Sequence, residues 1–484
     1  MADFQAATER FMTWFKSMGG EFRDDLIEIQ DLRSKGAGRG IIAKTNIPSE
    51  TTLFTIPRSA IINTETSELP KKLPKVFEAA FEEEEEDTEP IDAWESLILV
   101  MIYEHLQGEK SQWKPYLDIL PTSFDTPMFW TEAELKELDG TVLTRKIGRA
   151  ASDEKLLSRV VPVVLQNAEV FFGEGERLGE KEVLALAHRM GSTIMAYAFD
   201  LENEEDEVEE EEDGWVVDKD AQRMLGMVPM ADILNANADF NVSPAFNPDI
   251  ADITLIFRLL KAHVNHGENL EVTTLRSDIK SGDEILNYYG AMPSSEVLRR
   301  YGYVTPEYSR YDEVEIPRSA VAQALAAATG LSLSELKDIG VEIDPEDEDE
   351  DDFIIERDSG APNEEGRLVE PATMSEFPEL EEELKDALKV IKKQKSDVVA
   401  DKRKRDDIAN TVLVQVLTEK LAAYPTTIEE DRSLSKNPEI THRHRMAVQV
   451  RLGEKVLLEE AIAMVKARAT VDEHSEKPAK KSRR

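Results

Sequence analysis

The sequence predicts an α+β protein of two or three domains, with its strands gathered in two stretches that lie far apart in the chain. Three observations point there. Short segments rich in β-branched and aromatic residues, bounded by Gly, Pro and Ser, occur at 26–57 and again at 270–289. Between them, from about 89 to 224, apolar residues recur at three-and-four spacing, the mark of a helical insert. Beyond Pro317 the helical pattern returns, so a separate helical domain follows the mixed one. A chain of 484 residues with 41% hydrophobic content is long enough and apolar enough to bury a core in each.

Phe4–Met18 sets Phe11, Trp14, Phe15 and Met18 on one helical face before Gly19-Gly20 stops it. Leu26–Gln30 alternates as a strand, Lys35–Gly40 (KGAGRG) is a turn, and Ile41–Ala43 and Leu53–Ile56 are short strands, the latter closed by Pro57. The alternate glycines of that turn suit either a tight hairpin or a backbone that approaches a bound molecule, and they lack the GxGxxG spacing. In the insert, Trp94–Gln107, Glu132–Leu138, Glu154–Phe172 and Val183–Phe199 read as helices, joined by irregular aromatic stretches at Trp113–Tyr116 and Pro121–Phe124. Tyr197, in the apolar Ser192–Phe199, is either a core residue with a partnered hydroxyl or part of a site.

Met227–Phe240 is an apolar run that ends in Asp232, Asn235 and Asn237. Leu270–Leu275 alternates as a strand, Lys280–Asp283 turns, Ile285–Tyr289 returns, and Ser294 caps a short helix carrying Val297, Leu298 and Tyr301. Amides and phenols in such apolar company fit a dry pocket that hydrogen-bonds a polar ligand, or a hairpin with aromatic packing. Ser319–Ala328, Met374–Lys393, Asp406–Ala422 and a long amphipathic Asn437–Arg468 make up the last domain.

A net charge of −41 opposes direct nucleic-acid binding, because a phosphate backbone meets repulsion rather than counter-charge, and it favours a basic protein partner. Much of the acid lies in Glu82–Asp87, Glu202–Asp213 and Glu346–Asp352, which read as solvated loops, with steering of a basic substrate as the second reading. With no cysteine there are no disulfides, thiolate zinc sites or cysteine nucleophiles. His188, His442 and His444 lack an HExxH or a carboxylate cluster, so no metal is expected. The absence of a signal-like segment and of a membrane-length apolar run points to a soluble, intracellular protein with no membrane partner. Two basic runs stand out, Lys402–Arg405 (KRKR) and Lys480–Arg484 (KKSRR); the second, in a polar tail, resembles an import signal, so the expected location is the nucleus, with the cytoplasm as a further one.

The turn KGAGRG with the following IIAKTNIPSETTLFTIPRSAII resembles the opening half of a SET domain, and MVPMADILNANADF with GDEILNYYGAMPSSEVLRRYGYV resembles its closing half. The helical insert and the terminal LSKNPEITHRHRMAVQVRLGEKVLLEEAI are similar to the Rubisco large-subunit methyltransferase class, and the closing half looks closest to the fungal ribosomal lysine N-methyltransferase 4 group. The resemblance implies a pseudo-knotted SET domain at 26–305 with its insert at about 89–224, preceded by an N-terminal helix at 1–25. An all-helical substrate-binding domain at 315–470 and a basic tail at 471–484 follow. It also implies S-adenosylmethionine as cofactor, with Ala37, Gly38, Arg39, Asn235, Ala236 and Tyr301 against it, Asn235 through its amide. Tyr289 is the implied catalytic residue and, with Tyr197, lines the channel for the target lysine. Ala236 stands where the family usually has His, whose contact with adenine is partly through the backbone.

The implied reaction is methylation of a lysine, with a single methyl placed on a basic large-subunit ribosomal protein. Such a site must desolvate, deprotonate and align a lysine amine rather than supply a covalent nucleophile. An apolar aromatic channel disfavours the ammonium, and an ordinary phenol is protonated near neutrality, so water rather than Tyr289 carries the proton. The alternative from another class is a catalytically weak SET-fold scaffold for basic nuclear proteins, to which Ala236 and the acidic loops are suited.

Overall fold

The computed structural model describes residues 2–77, 91–173, 175–201, 224–238, 260–265, 269–274, 279–287, 289–341, 352–360 and 371–474. The three acidic runs, apart from Asp352, lie outside the described residues, as do Tyr288 and 475–484 of the basic tail. The chain forms two compact units.

The first unit comprises Met1–Phe124 and Gly148–Gly290. It opens with α1 (Ala2–Ser17) and continues through β1 (Glu21–Phe22), β2 (Ile27–Asp31), β3 (Arg39–Ala43) and β4 (Thr52–Pro57). Its helices include α2 (Ala93–Gln107), α3 (Lys114–Leu117) and α4 (Glu180–Tyr197), and its later strands are β5 (Ala198–Leu201), β6 (Met224–Met227), β7 (Leu260–Asn265), β8 (Asn269–Thr274) and β9 (Glu284–Ile285). They make three small sheets, ordered β1-β4-β8-β7, β2-β3-β9 and β5-β6. The expected turn thus joins an antiparallel pair in which Ile27 faces Ala43 and Asp31 faces Arg39. Asp92 caps α2 in a reciprocal capping box with Glu95, which supplies two of the partners that a helix start lacks. One core runs from Phe11 and Phe15 of α1 through Leu53 and Ile56 of β4 to Ile98 of α2 and Val272 of β8. Each such fully buried large side chain contributes about 2 kcal/mol.

The stretch expected as one helix, Glu154–Phe172, is three: Arg149–Arg159, Val161–Gln166 and Ala168–Phe172. Pro162 has no N–H to give to the preceding turn and its ring crowds the carbonyl of Ser158, so the helix restarts there. The return strand expected at Ile285–Tyr289 is only two residues long, because Asn287 pairs elsewhere.

The second unit comprises Asp125–Ile147, Ala291–Ala361 and Glu370–Arg484. Its boundaries depart from those read in the sequence: residues 125–147 of the insert and 291–305 of the expected SET domain fold with this unit rather than the first. The reason is burial. Trp130, Leu138 and Leu143 share a cluster with Leu298, Met446 and Val450, and Arg451, fully buried, hydrogen-bonds Glu137 at 2.7 Å. The unit holds α5 (Ser294–Tyr301), α6 (Arg318–Thr329), α7 (Pro378–Gln394), α8 (Lys402–Ala422), α9 (Ile428–Leu434) and α10 (His442–His474). It is mainly but not wholly helical: β10 (Glu313–Ile316), β11 (Phe353–Asp358) and β12 (Thr373–Met374) form an antiparallel sheet, with Met374 in a strand rather than a helix. Ser294 is not the cap of α5 either; Pro293 holds that position, and the Ser294 N–H donates to the buried Asp312 carboxylate at 2.9 Å.

Candidate active site

The site is built where two remote segments of the first unit meet. β6 leads through Met230 into a single 3-10 turn, Ala231–Ile233, and then into Leu234-Asn235-Ala236. β9 is pinned to β3 by Ile285 facing Ile41, and the chain runs on to Asn287 and Tyr289. The Asn287 N–H donates to the Asn235 carbonyl at 2.7 Å, and the Asn237 N–H donates to the Asn287 carbonyl at 2.9 Å, so Ala236 and Asn287 form a parallel bridge. The Tyr289 hydroxyl donates to the Leu234 carbonyl at 3.1 Å. Two stretches some fifty residues apart in sequence are thereby laced into one structure.

Asn235 is tied more tightly than the sequence implies. Its Nδ2 donates to the Arg39 carbonyl at 3.1 Å and to Glu284 Oε1 at 2.7 Å. Both amide protons are committed to the protein, so only Oδ1 is left to accept from a ligand. The side chain therefore stitches the glycine turn and β9 to the 3-10 turn. Gly40 is the position that lets them approach: a Cβ there would meet Glu284 Oε1 at 2.7 Å and Asn235 Nδ2 at 3.0 Å. At Gly38, by contrast, a Cβ would meet none of the described residues within 4 Å. Within the turn the Ala37 N–H donates to the Leu32 carbonyl at 3.3 Å and the Gly38 carbonyl accepts from Leu32 at 2.9 Å. The Arg39 side chain turns away to brace α1, donating to Thr8 Oγ1 at 3.0 Å and to the Ile119 carbonyl at 3.1 Å, with the Phe4 ring 4.0 Å from its guanidinium.

The electrostatic centre is Asp232, which the sequence reading noticed but did not assign. Its Oδ2 accepts from the Tyr116 hydroxyl at 2.6 Å, while Oδ1 is buried with no hydrogen-bond partner among the described residues. Burial pushes this carboxyl up to about 7, against the pull of the Tyr116 hydrogen bond and, more weakly, of the Asp232 and Met230 backbone groups and the Arg39 charge. Tyr197 is pushed up to about 12 by its own burial and then by the Asp232 charge, and Tyr116 is raised well above a free phenol for the same reasons. Met230, two residues earlier, has φ +79°, a backbone conformation that a non-glycine residue holds at a cost of about 1–3 kcal/mol. A lone carboxylate between Met230-Ala231 and Ile233-Leu234 was the signal in the sequence; its partner in the aromatic WKPY stretch was not.

Of the expected site residues, Ala37, Gly38, Arg39, Tyr197, Asn235, Ala236 and Tyr289 all belong to the first unit. Tyr301 belongs to the second, where it ends α5 and packs on Tyr303 with ring centroids 6.2 Å apart. Among the described residues no group of His, Asp and Glu is arranged to hold a metal ion, and no helix is long and apolar enough to cross a membrane.

Comparison with known proteins identifies this arrangement. The family model described as SET domain matches residues 38–290, more than half of the chain. The chain belongs to the SET-domain family. A second model, described as Rubisco LSMT substrate-binding, matches residues 372–458. The chain is 30% identical over 332 residues to ribosomal lysine N-methyltransferase 4 of Saccharomyces cerevisiae, a match that takes in 67% of this chain and 61% of the yeast protein. It is 26% identical to N-lysine methyltransferase setd6 of Xenopus laevis, over 95% of each chain. Among solved structures, the SET domain of LSMT bound to lysine and AdoHcy superposes with a TM-score of 0.61 at 19% identity, covering 96% of this chain and 92% of that one. That likeness is one of fold: small sheets around a helical insert, then a substrate-binding region.

Proposed function

We propose that this S-adenosylmethionine-dependent protein-lysine N-methyltransferase places a single methyl group on a lysine of a basic large-subunit ribosomal protein. The enzyme class rests on the SET-domain match and on relatives that are N-lysine methyltransferases over nearly their whole length. The observation that carries the chemistry is the lacing of Asn235–Asn237 to Asn287–Tyr289. Support for the ribosomal substrate is narrower: the yeast relative's name and a net charge of −41, which suits a cationic partner.

The residues present fit the cofactor. Among the described residues nothing crowds Gly38, which suits a ligand against the turn, and Asn235 Oδ1 is an acceptor suited to an ammonium group. When bound, S-adenosylmethionine supplies a methyl group on a sulfonium. The Tyr289 hydroxyl donates its proton to the Leu234 carbonyl, which sets its oxygen as an acceptor that orients an amine N–H and the C–H groups beside it. Tyr197, held neutral, gives the amine an apolar wall that disfavours the ammonium. Incubation with tritiated S-adenosylmethionine and extracted large-subunit ribosomal proteins tests the proposal. Label on a lysine that disappears with Tyr289→Phe is the expected result, and label confined to other basic proteins would refute the ribosomal assignment.

The tail KKSRR supports import into the nucleus, where ribosomal proteins are assembled. A fluorescent fusion lacking 480–484 is expected to lose nuclear enrichment; unchanged enrichment would refute the role of the tail. Nothing in the comparisons favours the scaffold reading.

A further inference from the structure

The basic run Lys402–Arg405 has no part in the methyl-transfer site, and the structure makes it half of a larger patch. Residues 385–405 carry nine Lys and Arg against three Asp, in a chain whose net charge is −41. They span the last turns of α7, a connection at 395–401 and the first turn of α8. That connection is pinned. The Lys395 N–H donates to the Ile391 carbonyl at 2.6 Å and the Val398 N–H to the Lys395 carbonyl at 3.0 Å, while Val399 is buried in one core with Leu388 and Ile391 of α7 and Ile408 and Val412 of α8. Burial of these apolar faces leaves the cations outside, and Lys392, Lys393, Lys402, Arg403 and Lys404 are all exposed. Fold stability does not account for them: cations in the first turn oppose a helix macrodipole, which favours Asp or Glu there, and like charges gathered at one corner repel. The neighbouring acids are engaged elsewhere. Asp386 pairs with Lys389 at 2.5 Å, Asp406 with Arg405 at 3.0 Å, and Asp401 caps α8 by accepting from the Lys404 N–H at 2.8 Å. Among the described residues Lys392, Lys393, Lys402 and Lys404 have no carboxylate within ion-pair distance.

We propose that this corner between α7 and α8 is a docking surface for the phosphate backbone of RNA. The expectation drawn from the total charge does not hold here, because at physiological salt charges more than about 8 Å away are largely screened and the local cations decide the contact. Release of counterions condensed on a densely charged backbone adds a drive that an acidic peptide of lower charge density lacks, and that drive works against the net repulsion. The residue types narrow the mode of binding. Residues 385–405 contain no Phe, Tyr, Trp or His, so the patch neutralises phosphates without stacking on bases, and binding follows the backbone rather than the sequence. This inference goes beyond the methyltransferase reading and stands without it. Where both hold, the patch gives the enzyme a grip on the RNA that carries a basic ribosomal substrate.

The test uses the full chain and one variant that combines Lys392→Gln, Lys393→Gln, Lys402→Gln and Lys404→Gln, which removes four charges and keeps helix propensity. Binding of short fluorescein-labelled RNA duplexes is followed by fluorescence anisotropy between about 50 and 200 mM salt. Wild type is expected to bind duplexes of unrelated sequence alike, with the logarithm of affinity falling linearly against that of salt. The variant is expected to bind at least tenfold more weakly at about 100 mM salt, with a slope smaller by about three, while its melting temperature and its methyl transfer to free ribosomal proteins stay as in wild type. A wild type that binds no RNA, or a variant with unchanged affinity and slope, overturns the inference. So does displacement of the RNA by polyglutamate at equal charge concentration, which would assign the corner to an acidic protein. The two readings fail separately. RNA binding by a chain that labels no protein removes the methyltransferase reading alone, and labelled protein without RNA binding removes this inference alone.

Discussion

Asn235→Asp exchanges one amide group for a carboxylate, and the structure sets the cost. Asn235 Nδ2 lies 2.7 Å from Glu284 Oε1 and 3.1 Å from the Arg39 carbonyl, so the new oxygen faces two acceptors where the amide faced them as a donor. Two unit charges about 3 Å apart, in the effective dielectric of roughly 20 that suits half-buried pairs, repel by about 5 kcal/mol. The pair escapes by sharing a proton, so its joint titration is raised above the ordinary carboxylate range. Stability is then present at low pH and lost as pH rises through that raised value. Urea unfolding followed by tryptophan fluorescence at pH 8 and pH 5 reads this directly. Asn235→Asp is expected to lose several kcal/mol at pH 8 and to recover most of it at pH 5. Asn235→Ala, which only removes the two hydrogen bonds, is expected to lose about 2 kcal/mol at both. Equal stability of the two variants at pH 8, or a loss for Asn235→Asp that does not depend on pH, would refute the view that this amide clamps the glycine turn to β9.

Other consequences follow from the same geometry. Tyr289→Phe removes one hydrogen bond to Leu234, so chemical denaturation should show a loss of only about 1 kcal/mol while methyl transfer falls by a hundredfold or more in single-turnover assays. Gly40→Ala drives a methyl group into Leu32 first and then into Glu284 and Asn235, and should lower both the melting temperature and the affinity for S-adenosylhomocysteine in calorimetry. In the second unit, Asp431→Asn breaks a fully buried cluster in which Asp431 pairs with Arg451 at 2.9 Å and with Lys455 at 2.5 Å, for an expected loss of about 3–5 kcal/mol in denaturant melts. The raised Asp232 carboxyl favours the folded state when protonated. Its contribution is therefore complete below pH 3.8 and is lost as pH rises through about 7, a swing of roughly 4 kcal/mol that Asp232→Asn should abolish in melts taken across that range.

The sequence made the local half of this structure readable. Alternation in Leu26–Gln30 and Ile41–Ala43, broken by a glycine turn, specifies the β2-β3 pair, because in strands of that length the pattern of faces and the turn are nearly all there is. The helical faces of α1, α2, α4 and α8 were legible on the same ground. Partners were not. Periodicity in Glu132–Leu138 marks Leu138 for burial but not its burial with Met446 and Val450, so residues 125–147 were placed with the insert. β10, β11 and β12 are short and lie among helical stretches, and only their mutual pairing marks them as a sheet. At the site, resemblance named Asn235 and Tyr289 but not the direction of their hydrogen bonds. That the Asn235 amide is spent on Arg39 and Glu284, and that Tyr116 reaches Asp232 across 116 residues of sequence, are facts of packing that no local pattern carries.

The most direct measurement is the transfer of a labelled methyl group to protein lysine, with the modified residue mapped by mass spectrometry. The account predicts that the full-length chain labels a lysine of a basic protein substrate and that Tyr289→Phe, folded and still binding S-adenosylhomocysteine, leaves it unlabelled. Label of equal strength with Tyr289→Phe, or methyl groups found on side chains other than lysine, would contradict it.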